Sequence, residues 1–464
     1  MQKLILGAVG LGLVLSSTTA LAHLSQNPDI PPGLEVSAQK KVEEASIYSQ
    51  ALPVFTSPYL GIRSAFDASD LIVNVSTMNE DLRFLEEQQK LNIRHREQHL
   101  PPLDRPLVEL SGEVVGQAFW EEAYRGSSTD DITLTDARFD VFSRVSPWAM
   151  GYISTNFDNS SLDSRLEGSG FRLGNSRIFL KRAFLTIGNL DVSPVYFTLG
   201  QMYVPFGRYS TSTVSTPVTL ALGQTNTRAA LLGLSYEGFY GSVYGFRGDS
   251  DVGHTGKINQ WGFNAGYRYT CDLITIEVGG GAIANIADSA GIQLTGHHAE
   301  NEFSGFGESH ETEHLVHRVP GYDLHMEIDY GKFGIDTEYI AATRHFAFED
   351  MFFNSHGAKP SAFHIEANYR FDICERPTSV ALAYEHTTQA LGLRLPKDSL
   401  IGTFNTSIWK NTIQSLEYRY DNNYRSSDIS GGQALDEDDA VIVAPGPVGG
   451  GHRNFVVAQI GVYF

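Results

Sequence analysis

From Leu107 to the carboxy-terminus the chain alternates apolar and polar positions with a period of two, in segments that break off and restart. The last segment is the clearest. In Arg453 to Phe464, Val456, Ala458, Ile460, Val462 and Phe464 share one face, and Phe455, Gln459, Gly461 and Tyr463 share the other. Successive side chains of a strand point to opposite sides, so this is one strand with one greasy face. Over 361–372, Phe363, Ile365, Ala367, Tyr369 and Phe371 oppose His364, Glu366, Asn368, Arg370 and Asp372; over 321–330, Leu324, Met326, Ile328 and Tyr330 oppose Asp323, His325, Glu327 and Asp329. A face this densely charged belongs against water, and its greasy partner against lipid.

The pattern predicts strands over 107–121, 132–145, 148–157, 177–189, 194–204, 228–237, 240–247, 260–269, 273–284, 321–330, 333–343, 361–372, 378–387, 400–409, 412–422 and 453–464. They number sixteen. Their connections are short and long in turn. Tight turns fall at Ser146-Pro147, Leu190 to Ser193, Gly238-Phe239, Thr270 to Asp272, Gly331-Lys332, Ile373 to Pro377 and Lys410-Asn411, and the gaps between them are long and polar. Short periplasmic turns and long extracellular loops give this order; a soluble sandwich has no reason to sort its loops so. The predicted fold is all-β, a transmembrane antiparallel barrel of about 16 strands over 107–464, with a short helical segment before it.

That earlier part reads differently. Residues 1–22, with Lys3, an apolar run over Leu4 to Leu15 and Ala20-Leu21-Ala22, read as a secretory signal peptide. Residues 23–106 read as a periplasmic region. Within it Asp67 to Val75 reads as a short strand or loop, and 77–100 as a helix, with Met78, Leu82 and Leu85 on one side and Pro101-Pro102 after it. Two readings of that helix stand, a solvated connector and an oligomerisation element, so a homo-oligomer is a candidate partner.

Composition narrows the class. No stretch approaches the roughly 20 apolar residues of a spanning helix, whereas 21 Tyr, 27 Phe and 45 Gly suit strands, turns and aromatic belts. The net charge of −20 argues against nucleic acid as a partner. Trp120 and Trp261 are placed at the outer rim and Trp148 and Trp409 at the inner one, where amphipathic rings meet headgroups, and Phe464 is a further membrane-interface residue; the C-terminal strand is the expected contact for barrel assembly machinery. The expected surroundings are outer-membrane lipid and lipopolysaccharide. Cys271 and Cys374 lie four strands apart on a rim and are expected as two free thiols.

The long segment 205–227 carries the candidate chemistry. It follows Tyr203, with Pro205, Phe206, Gly207 and Arg208 at its start, is rich in threonine, and has Arg228 at its far end. Folded into the lumen, it narrows the bore; folded outward, it leaves its arginines to nearby acids. Arg182, Arg208, Arg228, Arg268 and Arg370, with Glu366, Asp140 and Glu417, are the candidate pore-lining charges, and Tyr203 and Phe206 the candidate aromatics. His310 and His314, four apart in a loop of His and Glu, are a weak metal candidate beside the simpler reading of a solvated acidic loop. Asp436 to Asp439 is an acidic run, read as solvated or as a calcium bridge to lipopolysaccharide. No nucleophile elbow, phosphate loop, His-Glu-x-x-His or dinucleotide fingerprint occurs, so no enzyme and no cofactor is expected.

The chain resembles the LbtU-type siderophore porins, receptors for legiobactin. The likeness rests on the leader, the Met78 to Leu91 helix, the run Phe179 to Gly188, the segment Gly200 to Arg208 and Asn454 to Phe464. The Gly200 to Arg208 segment is also similar to phosphate-selective porins. The resemblance implies import of a ferric siderophore, with iron only as bound cargo, and without the plug of energy-coupled receptors. A general or anion-preferring porin, and a surface adhesion or structural barrel, are the other readings.

Overall fold

All sixteen predicted strands form in the predicted order, and they close on one another. In this computed structural model, which describes residues 54–56, 78–99, 106–125, 128–158, 177–250, 257–271, 273–294, 303, 305–306, 314–435 and 441–464, the chain opens with β1 (Val54–Thr56) and α1 (Glu80–Glu97). The barrel wall follows as β2 (Leu107–Glu122), β3 (Ser128–Arg144), β4 (Ala149–Asp158), β5 (Arg177–Gly188), β6 (Val195–Tyr203), β7 (Asn226–Tyr236), β8 (Phe239–Phe246), β9 (Gln260–Thr270) and β10 (Ile274–Ile283). It continues through β11 (Gly321–Tyr330) and β12 (Phe333–Ala342), and, after the loop strands β13 (Met351–Phe353) and β14 (His356–Gly357), through β15 (Ser361–Ile373), β16 (Arg376–Thr388), β17 (Asp398–Thr406) and β18 (Thr412–Asn422). Two more loop strands, β19 (Ile429–Leu435) and β20 (Val441–Val448), precede β21 (His452–Tyr463).

Each wall strand pairs antiparallel with its neighbours, and β21 closes the ring. It pairs with β18, as in Leu416 with Ala458, and with β2, as in Ala118 with Ala458. Closure leaves no wall strand with an unpaired edge in the hydrocarbon layer, where an unsatisfied backbone group is most costly. The alternation comes out as read: in β21 Ile460, Val462 and Phe464 are exposed while Val457 and Tyr463 are buried. Leu185, Ile187, Leu199, Leu232, Leu234, Val243, Phe263, Leu324, Leu382, Leu400 and Leu416 add to the same exposed belt, a surface that lipid covers. The chain is therefore an outer-membrane, multi-pass β-barrel.

Where the structure adds to the sequence reading, tertiary context is the reason. Val54–Thr56 makes a short parallel pair with Val108 to Leu110, beyond the point where β21 stops covering β2. The segment 67–75, His310 and the acidic run 436–439 lie outside the described residues. The long loops after β12 and β18 pair with each other, as β14-β13-β19-β20, in a four-stranded sheet at the long-loop end. Strand segments from two different loops carry no local sign that they will meet.

Candidate functional site in the barrel lumen

Two segments occupy the bore. The first is Val204 to Thr225, between β6 and β7. Its base is tied where the Val204 amide donates to the Thr225 carbonyl at 3.0 Å, and it turns at Gly207, whose φ of +85° suits glycine. From there it runs across the barrel, and its main-chain N–H groups meet carboxylates on the facing wall. Glu338 of β12 accepts from the amides of Arg208 and Tyr209, the latter at 3.2 Å, and from the Thr219 hydroxyl at 2.5 Å. Glu366 of β15 accepts from Thr211 Oγ1 at 2.6 Å and the Ser212 amide at 2.8 Å. Glu385 of β16 accepts from the Val218 amide at 3.0 Å, and Glu417 of β18 from the amides of Val214 and Ser215, the latter at 3.0 Å. Asn405 of β17 donates to the Ser212 carbonyl at 2.8 Å.

The physical logic is plain. A loop crossing a lumen has no ladder to satisfy its backbone, so inward-facing carboxylates supply the acceptors. Charged acceptors make these bonds stronger than neutral ones. Five consecutive wall strands, β12 and β15 to β18, thereby hold the loop in place. The inward fold is the one adopted.

The second segment is α1, which differs from both sequence readings. It is neither a solvated connector nor an element outside the barrel, because its amino-terminal half is packed against the inner wall. Met78, Leu82, Phe84 and Leu85 are buried, and the Phe84 ring lies 4.8 Å from Phe142, 5.1 Å from Tyr152 and 6.3 Å from Phe184. Polar contacts flank this patch. Glu80 pairs with Arg182, Asp81 accepts from Thr198 Oγ1 at 2.7 Å, and Asn264 donates to Asn79 at 3.2 Å. Farther along, Gln88 and Gln89 donate to the carbonyls of Pro147 and Leu190, each at 3.1 Å, and Asn92 and Arg96 reach Asp191 at 2.7 and 3.0 Å. Pro147, Leu190 and Asp191 belong to short turns, so the helix enters from the short-turn rim and points its amino-terminus up the bore.

One carboxylate joins the two segments. Glu277 of β10 takes Arg208 of the loop at 3.3 Å and Arg268 of β9 at 2.8 Å, while Arg268 also reaches Glu86 of α1 at 3.0 Å. Glu327 shares Arg208 at 3.3 Å, and Tyr240 donates to Glu277 at 2.9 Å.

The sequence-selected residues separate on this geometry. Arg182 is fully buried against Glu80 and Ser154, Phe206 is fully buried in the apolar cluster under the loop, and Glu366 is fully buried beneath the loop it holds; none has surface left for a solute. Asp140 and Glu417 are buried too, pairing with Arg138 and receiving the loop. Arg228 is exposed and shares its parity with the outward Leu232 and Leu234, so it leaves the lumen set. Arg208, Arg268 and Arg370 remain inward and partly open, the last paired with Asp329. Tyr203 is half-buried with its ring 5.6 Å from the Arg182 guanidinium. Glu338, Glu385, Glu277 and Glu80 were missed. Their signal was present in part, since the first three are carboxylates at inward parity on β12, β16 and β10.

At the rims, Trp148 and Trp409 sit at short turns and Trp120 and Trp261 at the long-loop ends, all exposed. Cys271 and Cys374 are unpaired and exposed in two short turns. The His314 carbonyl accepts from Gln433 at 2.6 Å, and no metal-type cluster of His, Cys, Asp and Glu occurs among the described residues.

No protein-family model matches the chain. It is 38% identical over 422 residues to a UPF0422 protein of Legionella pneumophila strain Lens, covering 90% of this chain and 78% of that one. It is 35% identical over 492 residues to a UPF0422 protein of Coxiella burnetii, covering all of both. Among solved structures it is similar to an anion-selective porin from Comamonas acidovorans, at 11% identity and a TM-score of 0.49 over 78% of this chain and 100% of that one. It is also similar to the outer membrane channel DcaP of Acinetobacter baumannii, at 12% identity and 0.44 over 77% and 97%.

Proposed function

The chain belongs to the UPF0422 family, and we propose that this member is an outer-membrane channel that imports a ferric siderophore by diffusion past the inward-folded loop. The observation that carries the reading is the loop itself, pinned across the bore by Glu338, Glu366, Glu385 and Glu417. A structural barrel has no use for a crossbar held at this many points; a filter has. Arg208, Arg268 and Arg370 face the lumen in ion pairs with Glu277, Glu327 and Asp329. The Arg370–Asp329 pair is solvated on both sides and so is worth little net, which lets that arginine exchange one carboxylate for another, while Arg208 and Arg268 share the buried Glu277. A ferric chelate rich in carboxylates is the matching solute, in line with the resemblance to legiobactin receptors.

A second reading, a porin preferring small anions, draws on the same three arginines. One experiment separates them. Radio-iron loaded on legiobactin is offered to iron-starved cells with and without the gene, and the same complex is titrated onto the purified protein in planar bilayers. The siderophore reading expects gene-dependent uptake and block of the channel current by the complex. Equal uptake in both strains, with current that the complex leaves untouched and chloride carries, favours the anion porin.

A further inference from the structure

Given the channel reading above, we propose that α1 is a plug carried by the chain itself, seated in the bore of the closed channel and withdrawn toward the short-turn side when solute passes. Its position supplies the first ground. An 18-residue helix is about 27 Å long; its capping residue Asn79 and its first two residues, Glu80 and Asp81, carry the contacts to Asn264, Arg182 and Thr198 inside the wall, while Asn92 and Arg96 reach only the rim. The covalent path supplies the second. β1 pairs with the first residues of β2, so the chain before the helix and the strand after it are fixed at one rim. Anchored at Val54–Thr56 before it and at β2 after it, the helix can leave the bore without leaving the protein.

The chemistry of the seat is the third ground. The buried apolar residues of the segment end at Leu85, where Met78, Leu82, Phe84 and Leu85 join a cluster with Phe142, Met150, Tyr152, Phe184 and Tyr196; its other fastenings are ion pairs and hydrogen bonds to Arg182, Thr198, Asn264 and Arg268. Breaking a buried pair is severe when the survivor stays in an apolar medium. Here the survivor faces a lumen that fills with water as the helix leaves, so Arg182 is rehydrated instead of stranded. A packed structural helix would carry its apolar seam along the whole length, whereas here Leu91 is half-buried and Ile93 is exposed.

A trigger lies in the shared carboxylate. Arg208 of the loop and Arg268 both bind Glu277, and Arg268 also holds Glu86 of the helix. An anionic solute that draws Arg208 away leaves Glu277 with Arg268 as its remaining arginine, beside Tyr240. Arg268 then holds Glu86 less tightly, and the plug loses one of its fastenings as solute arrives at the loop.

The test uses the full chain in planar bilayers with both native cysteines changed to serine. Asp81→Cys with Thr198→Cys places two thiols where a hydrogen bond of 2.7 Å now joins helix to wall. A gel shift on oxidation reports the cross-link. Expected is low conductance when oxidised and a several-fold rise on adding dithiothreitol. Glu80→Ala with Phe84→Ala, which needs no cross-link, loosens the seat and is expected to raise conductance several-fold by itself. Equal currents from the oxidised and reduced forms, together with wild-type current from the loosened variant, overturn the plug and leave the channel standing. No current in any state overturns both.

Discussion

At the scale of single residues, Asp288 ties two outer loops together. Its carboxylate accepts from the Ser250 amide at 2.8 Å, while Ser250 Oγ donates to the Ala287 carbonyl at 3.1 Å. Burial pushes the Asp288 carboxyl from the ordinary 3.8 up to about 7. Between those values the native loop holds a proton that the unfolded chain has lost, so local stability is complete below the lower value and falls as pH rises through the upper. Amide exchange at Ser250, corrected for the intrinsic rate, is expected to speed up between about pH 4 and about pH 7 and to level off above that. Asp288→Asn should flatten that dependence; an unchanged slope would refute the assignment. Gly200 makes a backbone prediction. Its φ is +143°, and a Cβ there would lie 2.3 Å from the Ala183 carbonyl oxygen and 2.6 Å from Phe184 Cα. Backbone of a neighbouring strand cannot step aside, so Gly200→Ala should cost about 1–3 kcal/mol or more, read as a lower temperature for loss of the fast-migrating barrel band on unboiled gels. Inward and outward parity was legible in the sequence along 321–330, 361–372 and 453–464. Pairing was not, because Arg182 and its partner Glu80 stand 102 residues apart.

Elements sort by how local their causes are. The wall strands were legible because the period of two and the short-long rhythm of the turns are properties of neighbours in sequence. The existence of α1 was legible for the same reason, and Glu80–Glu97 falls within the predicted 77–100. Its seat was not. A helix lining a watery bore shows a short apolar patch and many charges, which is also the pattern of a helix in free solution. The crossing loop was half legible: Pro205, Gly207 and the threonines marked a turn and a polar run, but the wall carboxylates that hold it lie on strands far downstream. Those carboxylates make the element-scale prediction. Glu366→Ala with Glu417→Ala removes the acceptors of the Ser212, Val214 and Ser215 amides and of Thr211, and the loop should detach from that side of the bore. Single-channel conductance should rise and become noisier. The wall ladder is untouched, so the melting of the barrel should move little; a large fall in melting temperature with unchanged conductance would mean that these acids serve the wall and not the filter.

For the whole molecule the decisive property is sidedness, which follows from the sorting of connections by length and predicts where each thiol can be reached. Cys271 and Cys374 are exposed in short turns, the first between β9 and β10 and the second between β15 and β16. Short turns face the periplasm in barrels of this kind, so neither thiol is open to a large reagent outside the cell. A polyethylene-glycol maleimide too big for any porin should therefore leave intact cells unlabelled and add two tags once the outer membrane is permeabilised. Ser426→Cys, placed at an exposed position in the long connection between β18 and β21 with both native thiols changed to serine, should show the opposite. It should label fully on intact cells. Tagging of the native thiols from outside would invert the molecule in its membrane. It would then put α1 at the outer mouth and the β14-β13-β19-β20 sheet in the periplasm, so that solute met the helix first and the crossing loop last.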